Sequence, residues 1–114
     1  MTMKISQKEI WQVYFDPIVG SEQAGNRPAV VVSGDTMNKN FNVAIVCPIT
    51  SSIKRYKGHP ILKPNLTNGL KSESEVMVFH IRSISNLRFK KKVGKISDKE
   101  LEQIKNTLEK ILKY

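Results

Sequence analysis

The chain has 114 residues, with 19 Lys and Arg against 10 Asp and Glu, so its formal net charge at pH 7 is +9. This length suits one domain with a single core, and we expect one domain over residues 1–114. No apolar run approaches the roughly 18 residues of a membrane-spanning helix, and no secretion signal is recognisable, so we expect a cytoplasmic protein. The positive charge favours a polyanionic partner, although basic residues also serve solubility alone.

Cysteine and histidine are scarce, with one and two residues respectively. The single cysteine, Cys47, lies in the apolar stretch "NVAIVCPIT", which predicts a buried, inert thiol in a reducing compartment. No Cys/His cluster has zinc-binding spacing, and no glycine-rich phosphate loop is present. We therefore expect neither a metal nor a cofactor.

The first half of the chain contains three predicted strands. "EIWQVYFDP" alternates with the period of a half-buried strand that ends before Pro17. The runs 29–32 and 43–46 are short, β-branched and apolar throughout, as in strands that are covered on both faces. "GDTMNKNFN" between them is rich in turn-forming residues and predicts a loop.

The second half begins with weaker strand signals. "HPILKP" predicts at most a short edge strand, because proline cannot donate to a ladder. "SEVMVFHIRSI" predicts a single alternating strand, with one face formed by Val76, Val78, His80 and Arg82. A further short strand is expected around "KKKVGKI".

The end of the chain has helical spacing. Apolar residues recur at Leu101, Ile104, Leu108, Ile111 and Leu112. Ser97 and Glu100 have the spacing of a capping box at the start of this helix. We expect a mainly β, α+β fold, in which a small, strongly curved antiparallel sheet or partly open barrel is capped by the C-terminal helix.

Two polar residues flank the central strands. Arg27 precedes the run 29–32, and Thr50 follows the run 43–46. If these strands are antiparallel neighbours, Arg27 and Thr50 meet at one rim of the sheet, where a guanidinium and a hydroxyl suit a phosphate. The alternative is a surface arginine paired with Glu22 and a threonine that merely ends a strand. Spacing alone leaves both interpretations open.

Other polar residues allow two interpretations as well. Glu22 could orient Arg27 or exchange a proton, and Gln23 could contact a base edge, or both could be solvated loop residues. His59, beside Pro60, is expected to be an exposed loop residue. His80 could be structural or could transfer a proton near neutral pH.

Two basic segments contain aromatic residues. Tyr56 lies among Lys54, Arg55 and Lys57, and Phe89 lies among Arg88 and residues 90–92. Positive charge with aromatic rings suits single-stranded nucleic acid, whose bases stack on such rings. Lysines along a sheet edge also deter aggregation.

Three stretches in the same order resemble a known family. "EIWQVYFDPIVGSEQAGNRPAVVVS", "VAIVCPITSS" and "VMVFHIRSI" before a closing helix resemble the MazF/PemK (Kid) toxins of bacterial type II toxin–antitoxin systems. The resemblance implies an SH3-like barrel shared with CcdB toxins, and a homodimer. It also implies a metal-independent endoribonuclease that cuts single-stranded RNA, inhibiting translation and growth. In this reaction the 2′-hydroxyl attacks the adjacent phosphate, giving a cyclic phosphate and a 5′-hydroxyl.

The resemblance also implies roles for individual residues. Arg27 and Thr50 would be the catalytic pair. The sequence does not identify the proton acceptor, for which our candidates are Glu22 and then His80. RNA contacts are expected from Ser21, Gln23, Asn26, Ser51, Ser52, Lys54, Arg55, His80 and Arg82. The PemK/Kid branch has Arg and Asp where Met77 and Phe79 stand here and His in place of Ser21, so its acid–base assignment does not transfer.

The expected partners follow from the same resemblance. An antitoxin with an acidic, disordered tail would cover the basic groove and Arg27. The alternative functions are a CcdB-like toxin that poisons gyrase by binding, without nuclease activity, and a simple RNA-binding barrel.

Overall fold

The predicted strands and the C-terminal helix are present, and they occur in the predicted order along the chain. A computed structural model describes residues 4–15 and 25–114. Within these ranges the strands are β1 Glu9–Phe15, β2 Gly25–Val31, β3 Val43–Thr50, β4 Ile61–Leu62, β5 Ser74–Val76, β6 Arg82–Ser85 and β7 Phe89–Lys95. The helices are α1 Asp35–Asn40 and α2 Asp98–Lys113, with 3-10 helices at Val78–His80 and Asn86–Arg88.

The strands form one curled antiparallel sheet. Its order is β4-β5-β3-β2-β1-β7, and β6 pairs with β3. β1 and β2 are antiparallel neighbours, as are β2 and β3. The predicted α+β fold, a curved antiparallel sheet with a C-terminal helix, is confirmed as a half-barrel.

The sheet is buried on both faces, as the apolar runs predict. Val30 and Val31 are both fully buried, and they belong to different core clusters. One cluster contains Trp11 and Phe89, and the other contains Ile104 of α2. Cys47 belongs to the cluster beneath α2, and burial raises the pKa of its thiol to about 12. The prediction of a buried thiol is confirmed, and a raised pKa is what an unreactive thiol would have.

Helix α2 begins where the capping signal predicts. The Ser97 hydroxyl accepts the Glu100 N–H at 3.1 Å, and the Glu100 carboxylate accepts the Ser97 N–H at 2.8 Å. Leu101 and Ile104 are buried, whereas Leu112 near the helix end is 85% exposed. The sheet therefore covers only the first half of the apolar stripe. Among the described residues, neither helix combines the length and the apolar character needed to cross a lipid bilayer.

The prediction of one continuous strand over "SEVMVFHIRSI" is wrong. β3 pairs with β5 through Ile49–Val76 and with β6 through Val46–Arg82. Between these two pairs β3 has two residues and the opposite segment has five, so the 3-10 helix Val78–His80 accommodates the excess. His80 and Arg82 are consequently exposed, while Val76 is buried, so the expected common face does not exist.

The segment predicted as a loop between β2 and β3 contains the short helix α1. Its buried Asn38 donates from Nδ2 to the Ser33 carbonyl at 2.9 Å, and its Oδ1 accepts from the Ser33 hydroxyl. This side chain closes the turn over Ser33 and stabilises it. Turn-forming residues thus produce a helical turn here because a buried polar contact is available.

Gly94 provides a test of how the loop before β5 packs on β7. A Cβ at Gly94 would lie 2.4 Å from the carbonyl carbon and oxygen of Asn68. We expect Gly94→Ala to lower the free energy of unfolding by about 2 kcal/mol, because backbone cannot yield as a flexible side chain does. Nothing lies within 4 Å of the equivalent position at Gly34, so Gly34→Ala should change stability by less than about 0.5 kcal/mol. Urea denaturation measures both, and equal stabilities would contradict this packing.

Candidate functional site

Arg27 and Thr50 lie beside each other at one rim of the sheet. β2 pairs with β3 through Ala29–Pro48, Val30–Cys47 and Val31–Val46. These pairs end at Ala29–Pro48, two residues short of Arg27 and Thr50, which in the same register would point to one face of the sheet. Both residues line one cleft at this rim, and to that extent the predicted proximity of the guanidinium-bearing and hydroxyl-bearing residues is confirmed.

A cleft of about 730 Å³ opens at this rim. It is lined from β1, β2, β3, β7 and the loop before β5 by polar side chains that include Gln12, Arg27, Thr50, Ser51, Ser52, Lys71, Ser72, Lys91 and Lys92. Gln12 and Lys91 reach it because they pair across β1 and β7. The cleft therefore combines hydroxyl groups with cations drawn from distant parts of the chain.

Only one of the cleft's cations has a carboxylate partner among the described residues. Lys92 lies 2.9 Å from the Glu9 carboxylate. Burial raises the pKa of Glu9, but hydrogen bonds from Lys92, the Ser6 N–H and the Trp11 indole outweigh it and leave that pKa below its usual value. Within residues 4–15 and 25–114, no carboxylate lies within ion-pair distance of Arg27, Lys71 or Lys91. The cleft thus has an excess of positive charge that suits a polyanion.

A hydrogen bond to the backbone two residues further along the chain orients the hydroxyl of Thr50. Its Oγ1 accepts the backbone N–H of Ser52 at 3.0 Å. The hydroxyl proton remains available to donate to an anion, because the hydrogen bond to Ser52 uses a lone pair. Arg27, on the neighbouring strand, is exposed. The pair is accessible to a bound phosphate group.

The remaining predicted site residues lie in several places. Ser51 and Ser52 line the cleft, and exposed Asn26 precedes Arg27 on β2. Lys54 and Arg55 are exposed on the loop that follows Ser52. The other three, Ser21, Glu22 and Gln23, fall outside the described residues.

His80 and Arg82 do not line the cleft. His80 is exposed in the 3-10 helix, and the Arg82 guanidinium lies 5.1 Å from the centre of the Phe15 ring. Phe89, expected as an interleaved aromatic for base stacking, is 2% exposed and packs edge-on against Trp11 at 5.6 Å. Its burial excludes stacking with a nucleic-acid base. The RNA contacts of His80 and Arg82 stay predictions.

The expectation that His59 is exposed is wrong. Its side chain is fully buried, and Nδ1 lies 2.8 Å from Oε2 of Glu75, which is also fully buried. His59 Nε2 accepts the Phe79 N–H at 3.3 Å, so Nε2 carries no proton and Nδ1 donates to the carboxylate. One weak signal of this burial is present in the sequence, a glutamate inside the otherwise apolar strand "SEVMV".

Glu75 anchors the loop that follows Thr50. Its carboxylate accepts the backbone N–H groups of Lys54 and Arg55 at 2.7 Å and of Tyr56 at 3.2 Å. Burial raises the pKa of Glu75, but these bonds and that from His59 outweigh it and lower the pKa to about 2. Glu75 is also the β5 partner of Thr50. One buried carboxylate therefore holds the strand end and the loop together. In the described part of the chain, no three His, Cys, Asp or Glu side chains form a group that could hold a metal ion.

Comparisons with known proteins agree with this fold. Residues 6–112 match the family described as PemK-like, MazF-like toxin of type II toxin–antitoxin system. The chain is 38% identical over 105 residues to endoribonuclease MazF9 of Mycobacterium tuberculosis, covering 88% of this chain and 89% of the relative. It is 30% identical over 103 residues to endoribonuclease MazF of Staphylococcus saprophyticus, covering 89% of this chain and 85% of the relative.

Solved structures show the same architecture. The crystal structure of MazF from Deinococcus radiodurans superimposes with a TM-score of 0.82 at 26% identity, covering 98% of this chain and 99% of that one. A MazE–MazF crystal structure from the same organism superimposes with a TM-score of 0.80 at 25% identity, covering 97% of both. The chain therefore belongs to the family of PemK-like, MazF-like toxins of type II toxin–antitoxin systems.

Proposed function

We propose that this toxin is an endoribonuclease that cuts single-stranded RNA at the cleft containing Arg27 and Thr50. The observation that carries the proposal is that these two residues line one cleft in which Lys71 and Lys91 have no carboxylate partner among the described residues. The endoribonuclease activity of the Mycobacterium and Staphylococcus relatives supports it. The substrate would be messenger RNA in the cytoplasm.

The proposed reaction is an intramolecular transesterification. The 2′-oxygen of one nucleotide attacks the adjacent phosphorus, a 2′-O–P bond forms, and the P–O5′ bond breaks. The 2′-hydroxyl proton passes to a base, and a second proton is delivered to the departing 5′-oxygen. The products are a cyclic 2′,3′-phosphate and a 5′-hydroxyl, and the step needs no metal ion or cofactor.

Arg27 and Thr50 would act on the phosphate. A guanidinium does not release its proton in proteins, so Arg27 is unsuited to be the base. It can neutralise the charge that develops on the pentacovalent phosphorus, which is the larger catalytic effect. The Thr50 hydroxyl would donate to a non-bridging oxygen, while Lys71 and Lys91 attract the flanking backbone.

The base is proposed to be Glu22. The second candidate, His80, is absent from the residues that line the cleft, which favours Glu22 although it falls outside the described residues. A carboxylate accepts a proton readily at neutral pH, unlike the cations of the cleft.

Mapping the ends of a digested long RNA tests the function. In the presence of EDTA we expect cuts at one short sequence, each leaving a cyclic phosphate and a 5′-hydroxyl. Replacing the 2′-hydroxyl at the cut site with hydrogen should abolish cleavage there, because the nucleophile is removed. Intact RNA would contradict the proposal and favour the gyrase-binding alternative. Cleavage of the 2′-deoxy substrate would contradict the transesterification.

An antitoxin with an acidic, disordered segment is the proposed inhibitor. The Deinococcus MazE–MazF structure supports an antitoxin partner, and the cleft's positive charge suits an acidic segment. We expect Lys71→Glu combined with Lys91→Glu to weaken cognate antitoxin binding at least about tenfold, with affinity falling as salt rises. Lys105→Glu, on the exposed face of α2, is the matched control. Isothermal titration measures the affinity, and salt-independent binding would contradict this partner.

A homodimer is proposed for the toxin. Leu112 and Ile111 at the end of α2 are 85% and 42% exposed, and they extend the stripe that the sheet covers only in part. Association of two copies would remove such apolar surface from water. Sedimentation velocity measures the state, and a monomer at micromolar concentration would contradict it.

A further inference from the structure

Two aromatic side chains form an exposed pair outside the cleft. Tyr56 is 49% exposed and Phe79 is 50% exposed, and their ring centres lie 5.9 Å apart. Tyr56 comes from the loop between β3 and β4, whereas Phe79 comes from the 3-10 helix between β5 and β6. Segments distant in sequence thus bring two rings together at the surface.

The Tyr56–Phe79 pair is supported from below by His59. The His59 ring lies 4.0 Å from the Phe79 ring and 5.6 Å from the Tyr56 ring, measured between centres. His59 Nε2 holds the Phe79 N–H, while Nδ1 contacts Glu75, whose carboxylate holds the Tyr56 N–H. Both backbone segments are therefore bonded to one buried Glu75–His59 unit. Such support lowers the entropy lost when a ligand binds.

The surroundings of the pair are basic. Lys54, Arg55 and Lys57 lie on the Tyr56 loop, and exposed His80 follows Phe79. Among the described residues, the side chains of the Tyr56 loop make one contact with a carboxylate, that of Arg55 with Glu73 at 3.5 Å. Aromatic faces flanked by cations suit the bases and the phosphates of a single-stranded nucleic acid.

The pair is also within reach of an RNA in the cleft. Ser52 lines the cleft, and Tyr56 follows it by four residues, so at most about 14 Å separates their Cα atoms. A strand that leaves the cleft along this loop would meet the rings within a few nucleotides.

We propose that Tyr56 and Phe79 form a base-stacking subsite for single-stranded RNA, separate from the cleft. This subsite rests on the proposed endoribonuclease function and extends it. It binds a base flanking the cut by its π-face and therefore contributes affinity more than rate.

Leucine variants test the subsite. Tyr56→Leu and Phe79→Leu should each raise the Kd of a fluorescent single-stranded RNA about tenfold. The probe carries a 2′-deoxy nucleotide at its cut site, so cleavage does not interfere. With cleavable RNA, KM should rise by a similar factor while kcat changes less than about twofold.

Matched variants distinguish the loss of base stacking from the loss of side-chain volume and from unfolding. Phe79→Trp and Tyr56→Trp keep a π-face and should retain affinity. Phe41→Leu alters another exposed aromatic, 60% exposed at the end of α1, and should leave affinity unchanged. Circular dichroism establishes that each variant is folded.

The outcomes distinguish the two proposals. If wild-type protein cuts RNA and the leucine variants bind it as tightly as wild type does, the subsite alone is overturned. Wild-type protein that neither binds nor cuts RNA overturns both proposals. If the leucine variants change the sedimentation coefficient but leave RNA affinity per protomer unchanged, the pair is a contact between copies, and the subsite is overturned.

Discussion

Replacing Arg27 with alanine is expected to lower the kcat of RNA cleavage by about 10²–10³-fold, the usual effect of removing a group that stabilises transition-state charge. Arg27 is exposed and makes no ion pair with the described residues, so its loss should leave the fold unchanged. Single-turnover cleavage of a fluorescent oligonucleotide at saturating protein measures the effect, and thermal unfolding monitors stability.

Two further variants sharpen the Arg27 test. Arg27→Lys keeps the charge but loses the forked donors, so an intermediate rate is expected. Lys105→Ala removes a cation from the exposed face of α2 and should leave the rate unchanged. A rate for Arg27→Ala equal to that of wild type would remove Arg27 from the proposed catalytic pair.

Replacing Glu75 with glutamine should have the largest effect on stability. The buried carboxylate has four donors, the N–H groups of Lys54, Arg55 and Tyr56 and the ring of His59. Glutamine offers one acceptor oxygen and brings an amide toward groups that donate. We expect the free energy of unfolding at pH 7 to fall by about 3 kcal/mol, as when one member of a buried pair is removed.

The stabilisation by Glu75 is expected to depend on pH. The pKa of Glu75 falls from 4.5 to about 2 on folding, so its contribution is complete above the unfolded value and is lost as pH falls toward 2. The stability difference between wild type and Glu75→Gln should therefore shrink between pH 5 and pH 2. Urea denaturation at several pH values measures it.

Glu73 provides the control for Glu75. Its side chain is 38% exposed and contacts Arg55 at 3.5 Å, so Glu73→Gln should cost less than about 1 kcal/mol. Equal losses for the two glutamine variants, or a difference that persists unchanged at low pH, would show that the buried carboxylate does not anchor the loop.

The regular elements could be predicted because their patterns are local. The alternation in β1 and the capping signal at Ser97 depend on residues near each other in sequence, and the structure confirms both. The juxtaposition of Arg27 and Thr50 was also predictable, since it needs only that two apolar runs pair as antiparallel neighbours.

The remaining features of the fold and of the cleft depend on contacts between distant parts of the chain, which the sequence does not reveal. The break at Val78–His80 arises because β3 has two partners in different registers. The burial of His59 depends on a carboxylate 16 residues away, and a histidine beside a proline is usually found in an exposed loop. Lys71 and Lys91 reach the cleft through the packing of a loop on β7, which no local pattern indicates.

The buried Glu75–His59 unit has a consequence for engineering the toxin. It holds the main chain of the segments that carry residues 56 and 79, whereas both aromatic side chains project to the surface. Randomising these two positions should therefore yield folded variants that differ in their affinity for single-stranded RNA. A library of only two codons would sample this surface while Arg27 and Thr50 remain untouched.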